Sequence, residues 1–364
     1  MGAVHYFFIA AAIATGTAFS FFFTPIANKI AFMIDAVDVP NDERRMHSKP
    51  IARLGGLAIY IAFMISVFIF GTMTSYLGVS KQLYGILIGA FVIIVLGIFD
   101  DIYALRARYK FSAQILAAVI VASFDVRINI NQIFYAFSVN SSLLENILSF
   151  IVTVLWIVAI TNALNLIDGL DGLATGITVI ATASFLIIMI MISNIQMAIL
   201  SACLVGASIG FIPFNKNPAL IFMGDTGALF LGFILACFSV HGLYSQTTII
   251  SLAVPFLIMA LPIFDTCYAF ARRIAEKRSP FSPDRLHIHH KLIDLGLSQS
   301  RTVAILYVMS IGFAGCSIFI INFRLRDAIC LSFAVFILMI GILWFITSPV
   351  FNPEKHNTKS RKDR

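Results

Sequence analysis

Charged side chains are scarce in this sequence of 364 residues. Asp, Glu, Lys and Arg together make up only 12% of it, while 60% of the residues are hydrophobic. A water-soluble globular protein needs a polar surface that this composition cannot supply. The scarcity of charge therefore excludes a soluble domain and indicates an integral membrane protein.

Cysteine is also scarce and shows no paired spacing. The chain has five cysteines and no CxxC pair. This pattern excludes a disulfide framework and a thiolate zinc site. The sequence also lacks the internal repeat of paired transporter halves and any low-complexity linker. We therefore expect one transmembrane catalytic domain over residues 1–350, followed by a basic cytoplasmic tail over residues 351–364.

Long apolar runs fill most of the chain. A helix needs about 20 apolar residues to cross the hydrocarbon core of a bilayer. Candidate spans lie at about 4–24, 54–76, 83–99, 111–126, 146–164, 173–193, 197–213, 228–243, 248–270, 302–322 and 328–347. The first run lacks a signal-peptide cleavage site, so we expect a retained anchor. These runs predict an all-α, polytopic membrane helix bundle of about 11 transmembrane helices.

Basic residues decide the predicted orientation. If the N-terminus lies outside, every Lys and Arg except Lys81, Arg127, Arg324 and Arg326 falls in an inner loop or tail. This bias follows the positive-inside rule and places the C-terminus in the cytoplasm. It also accounts for the net charge of +7 without a nucleic-acid partner. We expect a multi-pass protein of the cell membrane, with its chemistry on the cytoplasmic side.

Acidic residues gather where apolar runs end on the predicted inner side. The clusters are Asp100 with Asp101, Asp168 with Asp171, Asp225, and the run of acid and histidine over residues 284–290. Carboxylates at one membrane face, beside basic residues, suit Mg²⁺-assisted chemistry on phosphates. The sequence therefore indicates a cytoplasmic site for a phosphate-bearing ligand.

The adjacent acids Asp100 and Asp101 close the third apolar run. Like charges side by side destabilise one another unless a cation or proton is shared between them. The alternative is a solvated helix end, although negative charge at a helix C-terminus opposes the helix dipole. A metal or proton-transfer site is the favoured interpretation.

Two further segments combine acids with glycine. In residues 162–173, Asp168 and Asp171 are each followed by glycine, and in residues 215–227 Asp225 lies between glycines at a helix start. Glycine allows the backbone to approach a ligand closely, and a helix N-terminus offers N–H groups to an anion. An Asp-Gly pair alone is also a common turn. Phe222 either stacks on a base or faces lipid.

Histidines are concentrated in residues 279–291, which read Ser-Pro-Phe-Ser-Pro-Asp-Arg-Leu-His-Ile-His-His-Lys. A zinc site is one alternative, but no thiol lies nearby, so imidazoles bonded to phosphate or sugar are favoured. The basic segment 44–56 adds positive charge on the same side. Asp265, after Pro262 in an apolar run, is an intramembrane acid with either a functional role or a structural bond to the backbone or Arg272.

These motifs, in this order and spacing, resemble the polyprenyl-phosphate N-acetylhexosamine-1-phosphate transferases, relatives of the phospho-MurNAc-pentapeptide transferase. The resemblance covers residues 40–300. It implies a bundle of ten or eleven transmembrane helices that moves a sugar 1-phosphate from a UDP-sugar to polyprenyl phosphate, with Mg²⁺ or Mn²⁺, and releases UMP. Such enzymes start teichoic-acid, O-antigen or related glycan synthesis.

The histidine run is similar to that of the N-acetylglucosamine branch, which favours UDP-GlcNAc as donor and an undecaprenyl-type phosphate as acceptor. Another UDP-N-acetylhexosamine or UDP-MurNAc-pentapeptide is an alternative donor. A secondary transporter is the alternative from another class, and a homodimer is a further expectation left open. The expected chemistry is direct in-line transfer, with an aspartyl-phosphate route as the alternative.

The resemblance also implies residue roles. Asp225 corresponds to a metal-binding aspartate and Asp171 to a second metal contact, while Asp100 and Asp101 would engage the lipid phosphate. The implied uridine pocket comprises Asn165, Asp168, Gly169, Leu170, Asn215 and Phe222. The implied phosphate and sugar contacts are His47, Arg53, Lys110, Arg285, His287, His289 and His290.

Overall fold

The computed structural model describes residues 2–39, 50–73, 80–131, 141–243, 248–279 and 287–321, with isolated positions between 326 and 341. The first helices are α1 (Ala3–Met33), α2 (Gly55–Met73), α3 (Lys81–Tyr103), α4 (Ala107–Ser123), α5 (Ser142–Ile167) and α6 (Leu173–Met191). The later ones are α7 (Ile195–Asn215), α8 (Gly224–Gly242), α9 (Thr248–Ile258), α10 (Ala260–Ala275), α11 (Ile288–Asp294) and α12 (Gln299–Ile320). The strands β1 (Val37–Asp38) and β2 (Ile51–Ala52) form a short antiparallel pair.

Eight helices among the described residues are long and apolar enough to cross a membrane, and a bent pair makes up to nine. This confirms the predicted polytopic helical membrane fold. The predicted spans up to residue 322 coincide with helices, whereas the span 328–347 lies largely outside the described residues. The count of about 11, the sides of the termini and the tail over 351–364 stay predictions.

Two predicted boundaries are wrong. The first span continues as helix to Met33, beyond the predicted end near residue 24, with Pro25 inside it. The predicted ninth span is broken into α9 and α10, which meet at 83°. Pro262 explains the break, because its ring clashes with the carbonyl group four residues earlier, at Ile258, where α9 ends.

The most deeply buried helix is α8, which packs against α2, α3, α5 and α6. At one end of the bundle, the C-termini of α3, α5 and α7 meet the N-termini of α2, α4, α6 and α8 through the contacts described below. This end, called the acidic end here, carries Asp100, Asp101, Asp168 and Asp225. The turns that the sequence assigns to one side of a membrane are therefore together in space.

Candidate functional site at the acidic end

Backbone hydrogen bonds join the turn before α2 to the turn before α8. The N–H of Phe222 donates to the carbonyl of Ala52 at 2.8 Å, and the N–H of Gly55 donates back to the carbonyl of Phe222 at 3.0 Å. Gly224 completes the contact with a φ of +69°. A Cβ at Gly224 would overlap the carbonyl oxygen of Arg53, so only glycine fits. This junction places Arg53 beside the start of α8.

Asp101 holds the N-terminus of α8. Its Oδ1 accepts the backbone N–H of Asp225 at 2.9 Å, and its Oδ2 accepts the backbone N–H and the hydroxyl of Thr226 at 2.9 and 2.6 Å. The first N–H groups of a helix have no partner within the helix, so an outside acceptor stabilises them. A side chain from α3 thus does for α8 what a local capping residue usually does.

Asp100, Lys110 and Asp225 form the charged centre of the site. The carboxylate of Asp100 forms an ion pair with Lys110 Nζ, which also lies 3.1 Å from Oδ2 of Asp225. The carboxylates of Asp100 and Asp225 therefore share one ammonium group. Asp100 is buried, whereas Lys110 and Asp225 are partly exposed. The centre is therefore open to a ligand on the side of Lys110 and Asp225.

Asp168 ends α5 beside this centre. Burial is the largest cause that raises the pKa of its carboxyl group, to about 8, and the negative charges of Asp225 and Asp101 add to it. The positive charge of Arg53 acts in the opposite direction. The raised pKa of Asp168 favours its protonated form, which limits the negative charge gathered at this end.

Asp171 and Asn215 form hydrogen bonds that connect the surrounding turns. Oδ2 of Asp171 accepts the side-chain amide of Asn217 at 2.9 Å and the backbone N–H of Ala219 at 3.1 Å. Asn217 also donates to Gln299, at the start of α12, at 2.8 Å. The buried Asn215 accepts the hydroxyl of Thr175 and donates to the carbonyl of Ile221. Both side chains therefore make turn contacts within the protein.

The histidine helix α11 lies against the turn after α5. His287 and His289 are both buried, and their rings stack with centroids 5.8 Å apart. The ring of His289 lies against Gly169, where a Cβ would overlap it. Burial lowers the pKa of His289 to about 3, so the ring is neutral. Neither ring nitrogen of His289 has a hydrogen-bond partner within the described part of the chain.

The structure describes four of the remaining predicted site residues, and two lie outside its described residues. Asn165 lies in the last turn of α5, Leu170 is buried in the turn that follows, and Phe222 is partly exposed at the junction with α2. His290 packs its ring against His289, with centroids 4.2 Å apart. His47 and Arg285 lie outside the described residues. The roles assigned to all these residues stay predictions.

The donor set suits a hard divalent cation bound in part by a ligand. Within the described ranges, no three His, Cys, Asp or Glu side chains converge closely enough to hold a metal by themselves. Mg²⁺ commonly uses one or two carboxylates together with substrate phosphates. The neighbouring carboxylates of Asp100 and Asp225 fit that pattern, because both are hard oxygen ligands. The hydrogen bonds from Asn217 and Ala219 to Asp171 involve only one of the two carboxylate oxygens of Asp171, Oδ2.

Several residues of this arrangement were not predicted as site residues. Thr226 supplies two of the three donors to Asp101, and its place after Asp225 at a helix start was the available signal. Asp265, for which the sequence allows a functional role or a structural bond to the backbone or Arg272, bonds both His287 Nδ1 and the backbone N–H of Ile288, each at 2.8 Å. Gln299 had no signal, because a single polar residue at a helix start is common.

The fold is that of a helical membrane protein. Its helix ends bring together carboxylates, a lysine and buried histidines, and such a site suits anionic, phosphate-bearing ligands. The sequence profile of glycosyl transferase family 4 matches residues 83–243. A Bacillus subtilis protein named probable undecaprenyl-phosphate N-acetylglucosaminyl 1-phosphate transferase is 39% identical over 88% of this chain and 86% of its own length.

Two further relatives carry names that describe the same kind of transferase. The Mycobacterium leprae decaprenyl-phosphate N-acetylglucosaminephosphotransferase is 32% identical over 87% of this chain and 85% of its own length. The Escherichia coli K12 undecaprenyl-phosphate alpha-N-acetylglucosaminyl 1-phosphate transferase is 27% identical over 81% of this chain and 80% of its own length. This chain belongs to glycosyl transferase family 4, as the resemblance of its motifs predicted.

Proposed function

We propose that this protein transfers N-acetylglucosamine 1-phosphate from UDP-GlcNAc to a polyprenyl phosphate in the membrane and releases UMP. The observation that carries the proposal is the meeting of Asp100, Lys110 and Asp225 at the acidic end of a chain whose relatives bear the names given above. We place the site on the cytoplasmic face of the cell membrane, where a water-soluble nucleotide sugar is available and where most basic residues are expected.

The reaction exchanges one phosphorus–oxygen bond for another. A phosphate oxygen of the lipid attacks the β-phosphorus of UDP-GlcNAc, while the bond from that phosphorus to the bridging oxygen breaks and UMP leaves with that oxygen. Because little other covalent chemistry is needed, the protein acts mainly by alignment and charge neutralisation. Lys110 is placed to reach the reacting phosphates, since its side chain is partly exposed at the open side of the charged centre.

The two adjacent acids have separate roles in this scheme. Both oxygens of Asp101 are engaged with the start of α8, so Asp101 holds that helix end in place. Asp100 uses one oxygen to accept the N–H of Leu105 at 2.9 Å and directs the other toward Lys110. Asp100 is therefore the acid of the pair that faces the charged centre, where it can orient the acceptor phosphate through Lys110.

A divalent cation completes the proposed site. Asp225 and Asp100 are the residues that would hold it, and Mg²⁺ or Mn²⁺ bound there would neutralise charge on the diphosphate. The earlier assignment of Asp171 as a second ligand stays a separate prediction, which is tested below. Arg53 lies close enough to Asp168 and Asp225 to act on both electrostatically, and it adds positive charge for the phosphates.

The proposal is tested with purified protein, UDP-GlcNAc and undecaprenyl phosphate in detergent with Mg²⁺. We expect UMP release that depends on both substrates, together with a lipid product that carries the sugar and two phosphates. Release of UDP in place of UMP, or no reaction in a preparation that binds UDP-GlcNAc, would contradict it. A panel of UDP-N-acetylhexosamines and UDP-MurNAc-pentapeptide, assayed for UMP release, then defines the sugar.

A further inference from the structure

Asp265 is a buried acid within α10 whose carboxylate joins that helix to the histidine helix. It is only 1% exposed. Its Oδ2 accepts a hydrogen bond from Nδ1 of His287 at 2.8 Å, and its Oδ1 accepts the backbone N–H of Ile288 at 2.8 Å. The second bond satisfies one of the first N–H groups of α11. Asp265 thus fixes both the start of this short helix and the orientation of its first histidine ring.

The contacts continue from His287 to the acidic end. The rings of His287 and His289 stack within 8° of parallel, and His289 lies against Gly169. Gly169 directly follows Asp168, whose carboxyl group faces the charges of Asp225 and Asp101. One continuous row of contacts therefore runs from the interior of α10 to the turn beside the charged centre.

The carboxylate also determines which nitrogen of His287 carries the proton. An ionised Asp accepts only, so Nδ1 of His287 is the donor in this pair. Within the described ranges, Nδ1 is the only nitrogen of His287 with a hydrogen-bond partner. In the tautomer with Nδ1–H, the Nε2 atom is an acceptor, suited to an N–H or O–H group of a bound sugar.

We propose that Asp265 is a positioning residue that holds His287 and α11 against the Gly169 turn and presents His287 Nε2 to the sugar of the donor. This inference rests on the proposed function, and it adds an acid outside the charged centre that acts through another residue. Asp265 touches neither the reacting phosphates nor the proposed cation. Its loss should consequently weaken donor binding more than it slows the transfer step.

Two variants separate the two effects of Asp265. Asp265→Ala removes both acceptors, so Ile288 N–H and His287 Nδ1 lose their partner. Asp265→Asn retains an oxygen for Ile288 N–H but donates its amide to Nδ1, which moves the ring proton to Nε2. Asp294→Asn is the matched control, because Asp294 is an exposed acid at the other end of the same helix.

The measurements are the KM for UDP-GlcNAc, kcat, and hydrogen exchange of residues 287–294. We expect Asp265→Ala to raise KM at least tenfold, with a smaller change in kcat, and to increase exchange in α11 selectively. Asp265→Asn should keep the exchange protection and still raise KM. Asp294→Asn should match the wild type in all three quantities.

The outcomes distinguish this inference from the proposed function. If the wild-type protein makes no UMP from UDP-GlcNAc, that result contradicts the proposed function itself. An active wild type with unchanged KM in Asp265→Asn and in Asp265→Ala would overturn the positioning role alone. If Asp265→Ala does not fold, Asp265→Asn decides: a loss of kcat and thermal stability at unchanged KM would show a merely structural acid.

Discussion

The carboxylate of Asp101 accepts two hydrogen bonds from Thr226, one from the backbone N–H at 2.9 Å and one from the hydroxyl group at 2.6 Å. Asp101 belongs to α3 and Thr226 to the first turn of α8. The bonds therefore join two membrane helices at the point where Asp225 enters the site. The position of Asp225 depends on an acid that has no oxygen left to serve as a free base.

Asp101→Asn should destabilise the protein. The amide presents one acceptor oxygen in place of two, so at least one donor of Asp225 or Thr226 stays buried without a partner, at a cost of about 1–3 kcal/mol. Thermal unfolding in detergent measures the change. Asp125→Asn is the control, because Asp125 forms an exposed ion pair with Lys81 and its loss should cost under about 1 kcal/mol. Equal effects of the two variants would contradict the capping role.

Removal of divalent cations should abolish transfer, and added Mg²⁺ should restore it. Asp225→Asn should reduce kcat by at least about 100-fold, since a metal that acts on a phosphoryl group contributes several kcal/mol. Mn²⁺ binding, followed by electron paramagnetic resonance, gives a second measure that does not need activity. Unchanged Mn²⁺ affinity in Asp225→Asn would remove Asp225 from the proposed ligands.

Asp171→Asn tests the second predicted ligand. Because Asp171 already binds Asn217 and Ala219, we expect this variant to weaken Mn²⁺ binding less than Asp225→Asn does and to lower thermal stability. Gln299→Leu removes the neighbouring acceptor of Asn217 and serves as the control for damage to the turn alone. A loss of Mn²⁺ affinity as large as that of Asp225→Asn would support direct ligation by Asp171.

Gly169→Ala should impair donor use. The new methyl group would overlap the ring of His289, so the ring or α11 must move, and we expect kcat/KM for UDP-GlcNAc to fall by about 10- to 100-fold. Gly312→Ala in α12 is the matched control, because a Cβ there meets no atom within 4 Å. Steady-state kinetics with both variants measures the difference. Wild-type kinetics in Gly169→Ala would show that the two elements do not need to touch.

The free energy of unfolding should fall as the pH rises, in part because Asp168 loses its proton. Its pKa is raised from 3.8 to about 8 in the folded protein, so the folded state holds the proton more tightly than the unfolded state. The resulting stabilisation is present below about pH 4 and is lost as the pH rises through about 8. Melting temperatures from pH 5 to 9 without divalent cations should fall more steeply for the wild type than for Asp168→Asn. Parallel profiles would contradict the raised pKa.

The sequence predicted most helices because each apolar run is a local signal. It missed the continuation of α1 to Met33 and the break before Pro262, since a proline can lie within a helix or end one. The same signal located the acids at helix ends. It could not show that the adjacent Asp100 and Asp101 face different partners, because successive helix positions are turned by about 100° and the partners come from other helices.

The sequence by itself determined that this chain lies in a membrane, that its clusters of acids and histidines fall at the ends of apolar runs, and that its motifs match one family. Tertiary structure alone decided which of them meet. Asp101 and Thr226 are 125 positions apart, and Asp265 and His287 are 22 apart. No local pattern encodes such pairs, because a hydrogen bond between helices depends on how the apolar faces of those helices pack.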